Sequence, residues 1–239
     1  IAQLAPWLGG GAALANPARA PVKLLVLNVQ HSNHEHGRLL RLVAAQNPDV
    51  IGLVEVTSRW LRNLKPVRAQ YPYHYEVPDA LYVGLALYSR LPLENARLLE
   101  LPGEPWSPAI AATLAAPGGD VEFVLVHPVS PLNAEAIRRR NEQILALARH
   151  ARAADLPLVM AGDFNATMWN QGYRPLVEVG GLNDARKGHG IGPTWPAIGP
   201  LGVPIDHVLA TPDVELREFR VLDSVGSDHL PISAEFSTR

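Results

Sequence analysis

The sequence predicts an α/β fold in which two β-sheets pack face to face and helices cover their outer sides. Residues 22–55 and 121–161 carry this prediction, because both run from an apolar strand through a polar tip and a helix to a second strand with an acidic tip. The likeness is one of element order and is too weak to be a sequence repeat. No segment has the composition of a linker, so one domain is expected over residues 22–239.

Short apolar segments bounded by Gly, Pro, Asn or Asp are typical of strands. Nine such segments occur, over residues 22–29, 50–54, 81–88, 109–114, 121–126, 158–161, 205–210, 215–221 and 231–236.

Apolar residues at helical spacing predict helices over residues 37–46, 58–68 and 133–154. In the last of these, the arginines are expected to face solvent, opposite an apolar face formed by Ile137, Ile144, Leu145 and Ala148. A basic cluster at spacings of three or four favours one solvated helix face over a ligand-binding role; it consists of Arg59, Arg62, Lys65 and Arg68.

The composition excludes several kinds of site and partner. With 239 residues, 47% of them hydrophobic, the chain can bury a large core. It has no cysteine, which rules out disulfides and thiolate metal sites. The formal net charge is −2, so the chain lacks the basic excess of a non-specific nucleic-acid binder. Nucleic acid is therefore a disfavoured partner, and a monomer is expected.

Residues 1–21 are predicted to be a flexible or membrane-proximal arm. The segment is apolar and rich in small residues, and Ala13-Leu14-Ala15 resembles a signal-peptidase site. It is too short, and too interrupted by Pro6 and glycines, to span a bilayer. Two interpretations stay open: the remnant of a membrane or export segment, or an ordinary flexible arm.

Seven short polar signatures each end or flank an apolar run, so the fold can gather them at one edge of a sheet. They are Leu27-Asn28-Val29-Gln30, Leu53-Val54-Glu55, Val126-His127-Pro128, Gly162-Asp163-Phe164-Asn165, Pro193-Thr194-Trp195, Ile205-Asp206-His207 and Ser227-Asp228-His229. That edge would hold four carboxylates, two or three imidazoles and two carboxamides, a set suited to cleaving a phosphate ester with a hard metal ion. The glycine- and proline-rich segment 188–202 is predicted to be a loop beside it.

Asp163 and Asn165 follow a buried strand, and strand alternation places them on the same side. Gly162 is expected to let the chain turn sharply out of the strand. The pair can orient a water molecule and a phosphate oxygen together, although Gly-Asp after a strand is more often only a turn.

Asp228 and His229 place a metal ligand beside a general acid or base. Asp206 can hold His229 in one tautomer and stabilise its protonated form. Taken singly, each of these residues is equally consistent with a polar turn or a structural hydrogen-bond acceptor.

Glu55 ends a continuous apolar strand, where a charge has no packing reason to be, and Asn28 ends the first strand in the same manner. Oxygen ligands of this kind suit magnesium or manganese and not zinc. His127 closes residues 121–126; a lone histidine there is more often structural, but this one coincides with the other tips.

These signatures resemble those of the endonuclease/exonuclease/phosphatase superfamily, over residues 22–236 and in the family's order. The resemblance implies a four-layer sandwich of two mostly antiparallel sheets flanked by helices, with Mg²⁺- or Mn²⁺-dependent phosphoesterase activity. It implies metal-site roles for Asn28, Glu55 and Asp228, phosphate contact for His127, water and phosphate contact for Asp163 and Asn165, and an acid–base pair of Asp206 with His229. Arg140 and Gln143 resemble a recurrent helix signature with a mainly structural role.

Gln30 departs from this resemblance, because some nuclease members carry Asp two residues after the first Asn. A neutral amide binds a divalent ion less strongly than a carboxylate, which argues against a second fully occupied metal site.

The substrate-binding candidates are His34, His36, Trp106 and Trp195. The two histidines are predicted to contact a substrate phosphate; their spacing also permits zinc, without a third ligand to support it, and a plain helix-capping turn is a further interpretation. Either tryptophan is predicted to cover an apolar or sugar portion of the substrate, with core packing as the alternative.

The segment 32–36, the His-Pro after residues 121–126 and the Pro-Thr-Trp-Pro loop resemble bacterial, membrane-anchored members of the superfamily. That resemblance implies an extracytoplasmic location near a membrane and a phosphate ester or pyrophosphate substrate, lipid-linked in some relatives. A cytoplasmic location is the alternative. The alternative functions are a metal-dependent DNA nuclease and a non-catalytic binding module of the same fold.

Overall fold

Two six-stranded β-sheets form the centre of the molecule in a computed structural model that describes residue 7 and residues 20–79, 82–103, 107–198 and 201–239. The first sheet has the order β11-β12-β1-β2-β4-β3 and consists of β1 (Val22–Asn28), β2 (Val50–Val54), β3 (Tyr73–Val77), β4 (Leu85–Ser89), β11 (Val214–Val221) and β12 (Ile232–Thr238). The second has the order β5-β6-β7-β8-β10-β9 and consists of β5 (Leu93–Leu99), β6 (Ala109–Ala116), β7 (Gly119–Val126), β8 (Leu158–Asp163), β9 (Asn183–Asp184) and β10 (Asp206–Ala210). The predicted two-sheet α/β fold is confirmed.

The helices of the described residues are α1 (His36–Gln46), α2 (Ser58–Asn63), α3 (Lys65–Gln70), α4 (Ala134–Ala153) and α5 (Arg174–Glu178). The Thr57 and Asn133 side chains cap α2 and α4 by accepting a hydrogen bond from the backbone N–H three residues on. In the described part of the chain, no helix has the length and apolarity needed to cross a membrane.

The two segments with the shared element order form the parallel pairs of the two sheets. α1 connects β1 to its parallel neighbour β2, and α4 connects β7 to its parallel neighbour β8, whereas the other strand pairs are antiparallel. In register, Asn28 lies opposite Val54 and Val126 lies opposite Gly162. The carboxyl ends of each parallel pair therefore coincide, and the polar residues that follow them lie side by side.

Three apolar layers stabilise the sandwich. Between the sheets, side chains of both meet in a buried cluster that includes Val54, Leu87, Ile110, Phe123 and Phe236. A second cluster lies between α4 and the outer face of the second sheet, and a third lies between α1, α2, α3 and the outer face of the first. These layers fix both sheets, and hence both sets of strand ends, relative to each other.

Several predicted boundaries are wrong. β3, β5 and β9 were not predicted, because they are edge strands whose residues are largely polar or half-exposed, or, for β9, only two residues long. The strand predicted over residues 81–88 begins at Leu85. The helix predicted over residues 58–68 is divided at Leu64.

The predicted faces of α4 also need correction. Arg140 is buried and Ile137 is 42% exposed, because the face against the second sheet is centred on Ile144, Leu147 and Ala148. The Arg140 guanidinium donates hydrogen bonds there and is not solvated.

Of the predicted arm, residues 1–6 and 8–19 lie outside the described residues. Trp7 is buried, and its carbonyl accepts a hydrogen bond from the Gly190 N–H.

Candidate active site

Asn28 joins the ends of the two sheets. Its Nδ2 donates to Glu55 Oε1 at 2.9 Å, in the first sheet, and to Asp163 Oδ2 at 3.1 Å, in the second. Its Oδ1 accepts from the Gln30 N–H at 2.9 Å, which fixes the orientation of the amide. Asn28 therefore holds the carboxylates of Glu55 and Asp163 close together through its Nδ2, while its Oδ1 accepts from the Gln30 backbone.

Glu55 leaves β2 with φ +61°, and this turn directs its carboxylate across the strand ends. His31 holds the second carboxylate oxygen, since its backbone N and its Nδ1 each lie 3.1 Å from Glu55 Oε2. Burial would raise the pKa of Glu55, but the charge of His127 and the hydrogen bonds from Asn28 and His31 lower it. Glu55 is therefore an ionised carboxylate at neutral pH.

Asp163 is the last residue of β8 and is almost completely buried. The preceding Gly162 is needed for close approach, since a Cβ at that position would lie 2.0 Å from the Val126 carbonyl oxygen of β7. This differs from the predicted role, because Gly162 lies within the strand and the chain leaves it only after Asp163. The Asn165 N–H donates to Asp163 Oδ1 at 2.8 Å, which orients the carboxylate.

Asp206 and His229 form a buried pair, with 2.9 Å between Asp206 Oδ2 and His229 Nδ1. The opposite ring nitrogen, Nε2, points toward Asp163 Oδ2 at 3.6 Å. The first residue of β10 is Asp206, and it lies opposite Asp163 in the sheet register. The Ser227 hydroxyl accepts from the His229 N–H at 3.0 Å and donates to the Asn28 carbonyl at 2.7 Å, which ties the histidine to β1.

The three central groups strongly influence one another's protonation. Burial alone would lower the pKa of His229, but the charges of Asp206 and Asp163 outweigh it and raise this pKa to about 10. Burial would raise the pKa of Asp206, and the charge and hydrogen bond of His229 lower it. Burial raises the pKa of Asp163, an effect that the imidazoles of His229 and His127 oppose only in part. At neutral pH, the proton between Asp206 and His229 therefore resides on His229, and Asp206 is ionised.

His127 follows β7 and is buried beside the same carboxylate, with its Nε2 3.6 Å from Asp163 Oδ2. Neither of its ring nitrogens has a hydrogen-bond partner within the described parts of the chain. The buried His127 imidazole, which lacks a hydrogen-bond partner, is suited to a ligand that brings its own acceptor.

The α4 side chains Gln143 and Arg140 hold the neighbouring loops. Gln143 Oε1 accepts from the Val129 N–H, and Arg140 donates to the Asn165 carbonyl at 2.7 Å.

Asp228 lies on the other side of the cleft and is half-buried. Trp195 Nε1 donates to its Oδ2 at 3.1 Å, and Gln30 Oε1 accepts from its backbone N–H at 3.2 Å. Gln30 thus positions the backbone of Asp228.

A cavity of about 420 Å³ opens above these groups. Glu55, Asp163, Asp228 and His229 line its polar side. Its other walls combine the apolar side chains of Leu132, Trp195, Val203 and Ile205 with the polar ones of Ser130, Asn165, Thr167 and Asn170. The site thus places buried charge at one end of a cleft whose walls carry an apolar patch.

The two histidines predicted to bind substrate lie outside this cavity. His34 is exposed, with its Nδ1 2.8 Å from Arg59 Nη1, and His36 packs edge-on against Trp60 with 4.4 Å between ring centroids. Neither lines the cavity around Asp163. Trp106 lies outside the described residues.

Residues 25–229 match the sequence model of the Endonuclease/Exonuclease/phosphatase family. The chain belongs to this family. A search of the curated proteins finds no match.

Solved structures share the fold at low identity. D. rerio TDP2 complexed with a single-strand DNA product superposes with a TM-score of 0.77 at 19% identity, covering 92% of this chain and 100% of that chain. The human Nocturnin catalytic domain with bound sulfate gives 0.75 at 21%, covering 92% and 96%. A Bacteroides thetaiotaomicron mannosyl-6-phosphatase gives 0.72 at 16%, covering 90% and 99%.

The family is one of hydrolytic phosphoesterases that depend on a divalent metal, and the described residues contain one close group of possible donors. Candidate ligand atoms of Asp163, Asp206 and His229 lie within 4.8 Å of one another. However, the hydrogen bond between Asp206 and His229 already uses one atom of each. Glu55 and Asp228 offer oxygen donors at the cavity, and each oxygen that accepts a hydrogen bond keeps a further lone pair, so these carboxylates fit a hard divalent ion.

Sequence reasoning missed two contributors to the site. His31 contacts Glu55, and its only signal was its place one residue after a site tip. Arg186 contacts the backbone of Asp206 and carried no signal, because nothing in the sequence places it near that residue.

Proposed function

We propose that this chain is a Mg²⁺- or Mn²⁺-dependent phosphoesterase whose substrate is an amphiphilic phosphate ester or pyrophosphate. The observation that carries the proposal is the cavity itself, which joins the buried Asp163 and His229 to walls formed by Leu132, Trp195 and Val203. A polar phosphate fits the charged end, and an apolar group gains by leaving water at the other.

The side chains divide the reaction between them. Asp163 takes a proton from the attacking water as the water oxygen bonds to phosphorus. His229, protonated and held by Asp206, gives its proton to the departing ester oxygen. His127 donates to a phosphate oxygen that gains negative charge, which is consistent with its unpartnered ring nitrogens.

Glu55 and Asp228 would hold the metal, with Asn28 orienting Glu55. The ion would neutralise a phosphate oxygen and make phosphorus more electrophilic.

The similar solved structures include a complex with a DNA product and a mannosyl-6-phosphatase. They support phosphoester chemistry and do not distinguish between substrates. The apolar patch of Leu132, Trp195 and Val203 and the net charge of −2 favour an amphiphilic ester over a nucleic acid. A membrane-proximal, extracytoplasmic enzyme agrees with such a substrate and forms part of the proposal.

The test is a substrate panel of bis(p-nitrophenyl) phosphate, plasmid DNA, phosphoinositides and polyprenyl pyrophosphate, each with Mg²⁺, Mn²⁺ or chelator. We expect chelator-sensitive turnover that is highest on a lipid ester and absent in Asp163→Ala and His229→Ala. Salt-suppressed cleavage of plasmid DNA as the best activity would instead indicate a nuclease. No turnover on any substrate would favour a binding module.

A wall variant tests the substrate class separately. Leu132→Ser should raise KM for a long-chain ester more than for its short-chain analogue, because Leu132 lines the cavity. Leu98→Ser is the matched control, since Leu98 is an exposed leucine on β5, outside this cavity. Equal effects of the two variants on both esters would contradict an apolar subsite.

A further inference from the structure

Arg186 is a fully buried cation that directs its guanidinium at main-chain carbonyls. Its Nη1 donates to the carbonyls of Ile191 at 2.7 Å and Gly192 at 2.5 Å, and its Nη2 donates to that of Asp206 at 2.5 Å. The guanidinium carbon lies 4.4 Å from the centroid of the Phe219 ring. Burying a guanidinium is costly, so a fold that keeps one gains something from the positions it fixes.

A neighbouring carboxylate balances this charge without competing for it. Asp184 Oδ1 accepts from the backbone N–H of Arg186 at 2.8 Å, and Asp184 Oδ2 accepts from the Tyr173 hydroxyl at 2.6 Å. His207 Nδ1 also lies near Oδ2, at 3.2 Å. Asp184 is thus held by the backbone of Arg186 and by Tyr173, whereas Nη1 and Nη2 of the guanidinium bind the three carbonyls and its Nε has no hydrogen-bond partner among the described residues.

Asp206 is held on both sides of its Cα. The Thr194 hydroxyl oxygen accepts from the Asp206 N–H at 3.3 Å and from the Ile205 N–H at 3.2 Å, while Arg186 binds the Asp206 carbonyl. The backbone from which the Asp206 carboxylate reaches His229 Nδ1 is thereby held in place.

The same guanidinium controls the loop that carries the cavity wall. It binds Gly192, two residues before Thr194 and three before Trp195, whose indole N–H donates to Asp228. Gly192 has φ +52°, and a Cβ there would lie 2.8 Å from Arg186 Nη1. Glycine at this position is what allows the guanidinium to reach the loop.

We propose that Arg186 is a positioning residue that sets the Asp206–His229 pair against Asp163 and couples that alignment to the Trp195 wall. The kinetic effect of this positioning role rests on the proposed phosphoesterase function. The structural effect, which is the geometry of the Asp206–His229 hydrogen bond, can be tested whether or not the chain hydrolyses a phosphoester.

The experiment compares Arg186→Met, Arg186→Lys and Gly192→Ala with the wild type. Arg186→Met should lower kcat about 10²-fold, as expected for misalignment by about an ångström, and should also raise KM because the loop that carries the Trp195 wall is released. Arg186→Lys should lie between Arg186→Met and the wild type, because one ammonium cannot span three carbonyls. The imidazole Nδ1–H resonance of His229, assigned by its loss in His229→Ala, should shift in all three variants.

The matched control is Tyr173→Phe, which removes the bond to Asp184 in the same buried network but touches neither Asp206 nor the loop. It should lower the melting temperature and leave both kcat and the His229 resonance unchanged. A folded Arg186→Met protein with the wild-type kcat and resonance would overturn the proposal.

If neither Arg186 variant folds, Gly192→Ala decides, and an unshifted His229 resonance in it refutes the positioning role. If the wild type hydrolyses no phosphoester, the proposed function fails, yet the resonance still tests the role of Arg186.

Discussion

Replacing Asp206 with Asn removes the charge that faces His229 while keeping the size of the side chain. The wild-type pair is buried and separated by 2.9 Å, so little solvent screens it. The pKa of His229 is raised from 6.5 to about 10 in the fold, and one unit corresponds to about 1.4 kcal/mol. The charged pair and its neighbours therefore account for at most about 5 kcal/mol of pH-dependent stability.

The sign follows from the direction of the shift. Because the folded pKa of His229 is above the unfolded value, its stabilisation is complete below pH 6.5 and is lost as the pH rises toward 10. In Asp206→Asn this loss should shrink, because Asp163 is then the main carboxylate that raises the pKa. Urea denaturation at pH 6, 8 and 10, with a chelator present, measures the slope directly.

The kinetic assay tests the same charge at the reaction. Asp206→Asn should lower kcat by about 10²- to 10⁴-fold, and the alkaline limb of the kcat/KM profile should move to lower pH because neutral His229 cannot donate. Ser237→Ala, a substitution on β12 outside the site, is a control for general effects. An alkaline limb and a pH dependence of stability that both match the wild type would refute the assignment of the proton to His229.

Three further predictions concern other parts of the site. Gly162→Ala should lower the free energy of unfolding, measured by urea denaturation, by about 2–5 kcal/mol, because its Cβ would clash with the Val126 carbonyl. The control Gly119→Ala, also at positive φ but in open space, should cost only the backbone strain, and equal losses in the two variants would contradict the clash. Glu55→Gln should weaken Mn²⁺ binding in calorimetry by more than the 10- to 100-fold typical of an outer-shell partner, with exposed Glu35→Gln as the control, and unchanged affinity would remove Glu55 from the metal site. Burial would raise the pKa of Asp184, but the hydrogen bond and charge of His207 lower it to about 2. About 2 kcal/mol of the free energy of unfolding should therefore be lost as the pH falls from about 4 to 2, and Asp184→Asn should not show this pH dependence.

The sequence predicted the two-sheet architecture because its strongest signals were the buried central strands. β1, β2, β7 and β8 are nearly continuous apolar runs, and their order around α1 and α4 determines both parallel pairs. The edge strands were missed for the converse reason: in β5 the polar residues Glu94, Asn95 and Arg97 interrupt the apolar ones, and no residue of the strand is fully buried, so it has little apolar pattern to detect.

The burial of polar side chains by tertiary contacts could not be predicted from the sequence either. Helical periodicity placed Arg140 with the solvent-facing arginines, yet it is buried because it binds the Asn165 carbonyl 25 residues away. For Arg186 the partner that matters, Asp206, is 20 residues away and is contacted through its backbone. Neither pairing leaves a trace in local composition, because a carbonyl is present at every residue.

Backbone strain links the fold to the chemistry in a way that local sequence cannot show. Among the described residues, the non-glycine positions with positive φ are Gln30, Asn47, Glu55, Asn95 and Asn165, and three of these five lie in the site. Asparagine tolerates this region, whereas for Glu55 and Gln30 it is unfavourable and must be held by tertiary contacts. Those contacts are present: Asn28 and His31 bind the Glu55 carboxylate, and the Gln30 N–H donates to Asn28. The turn that aims Glu55 into the cleft thus depends on the groups it must face, so the geometry of the site is part of the fold and is not added to it.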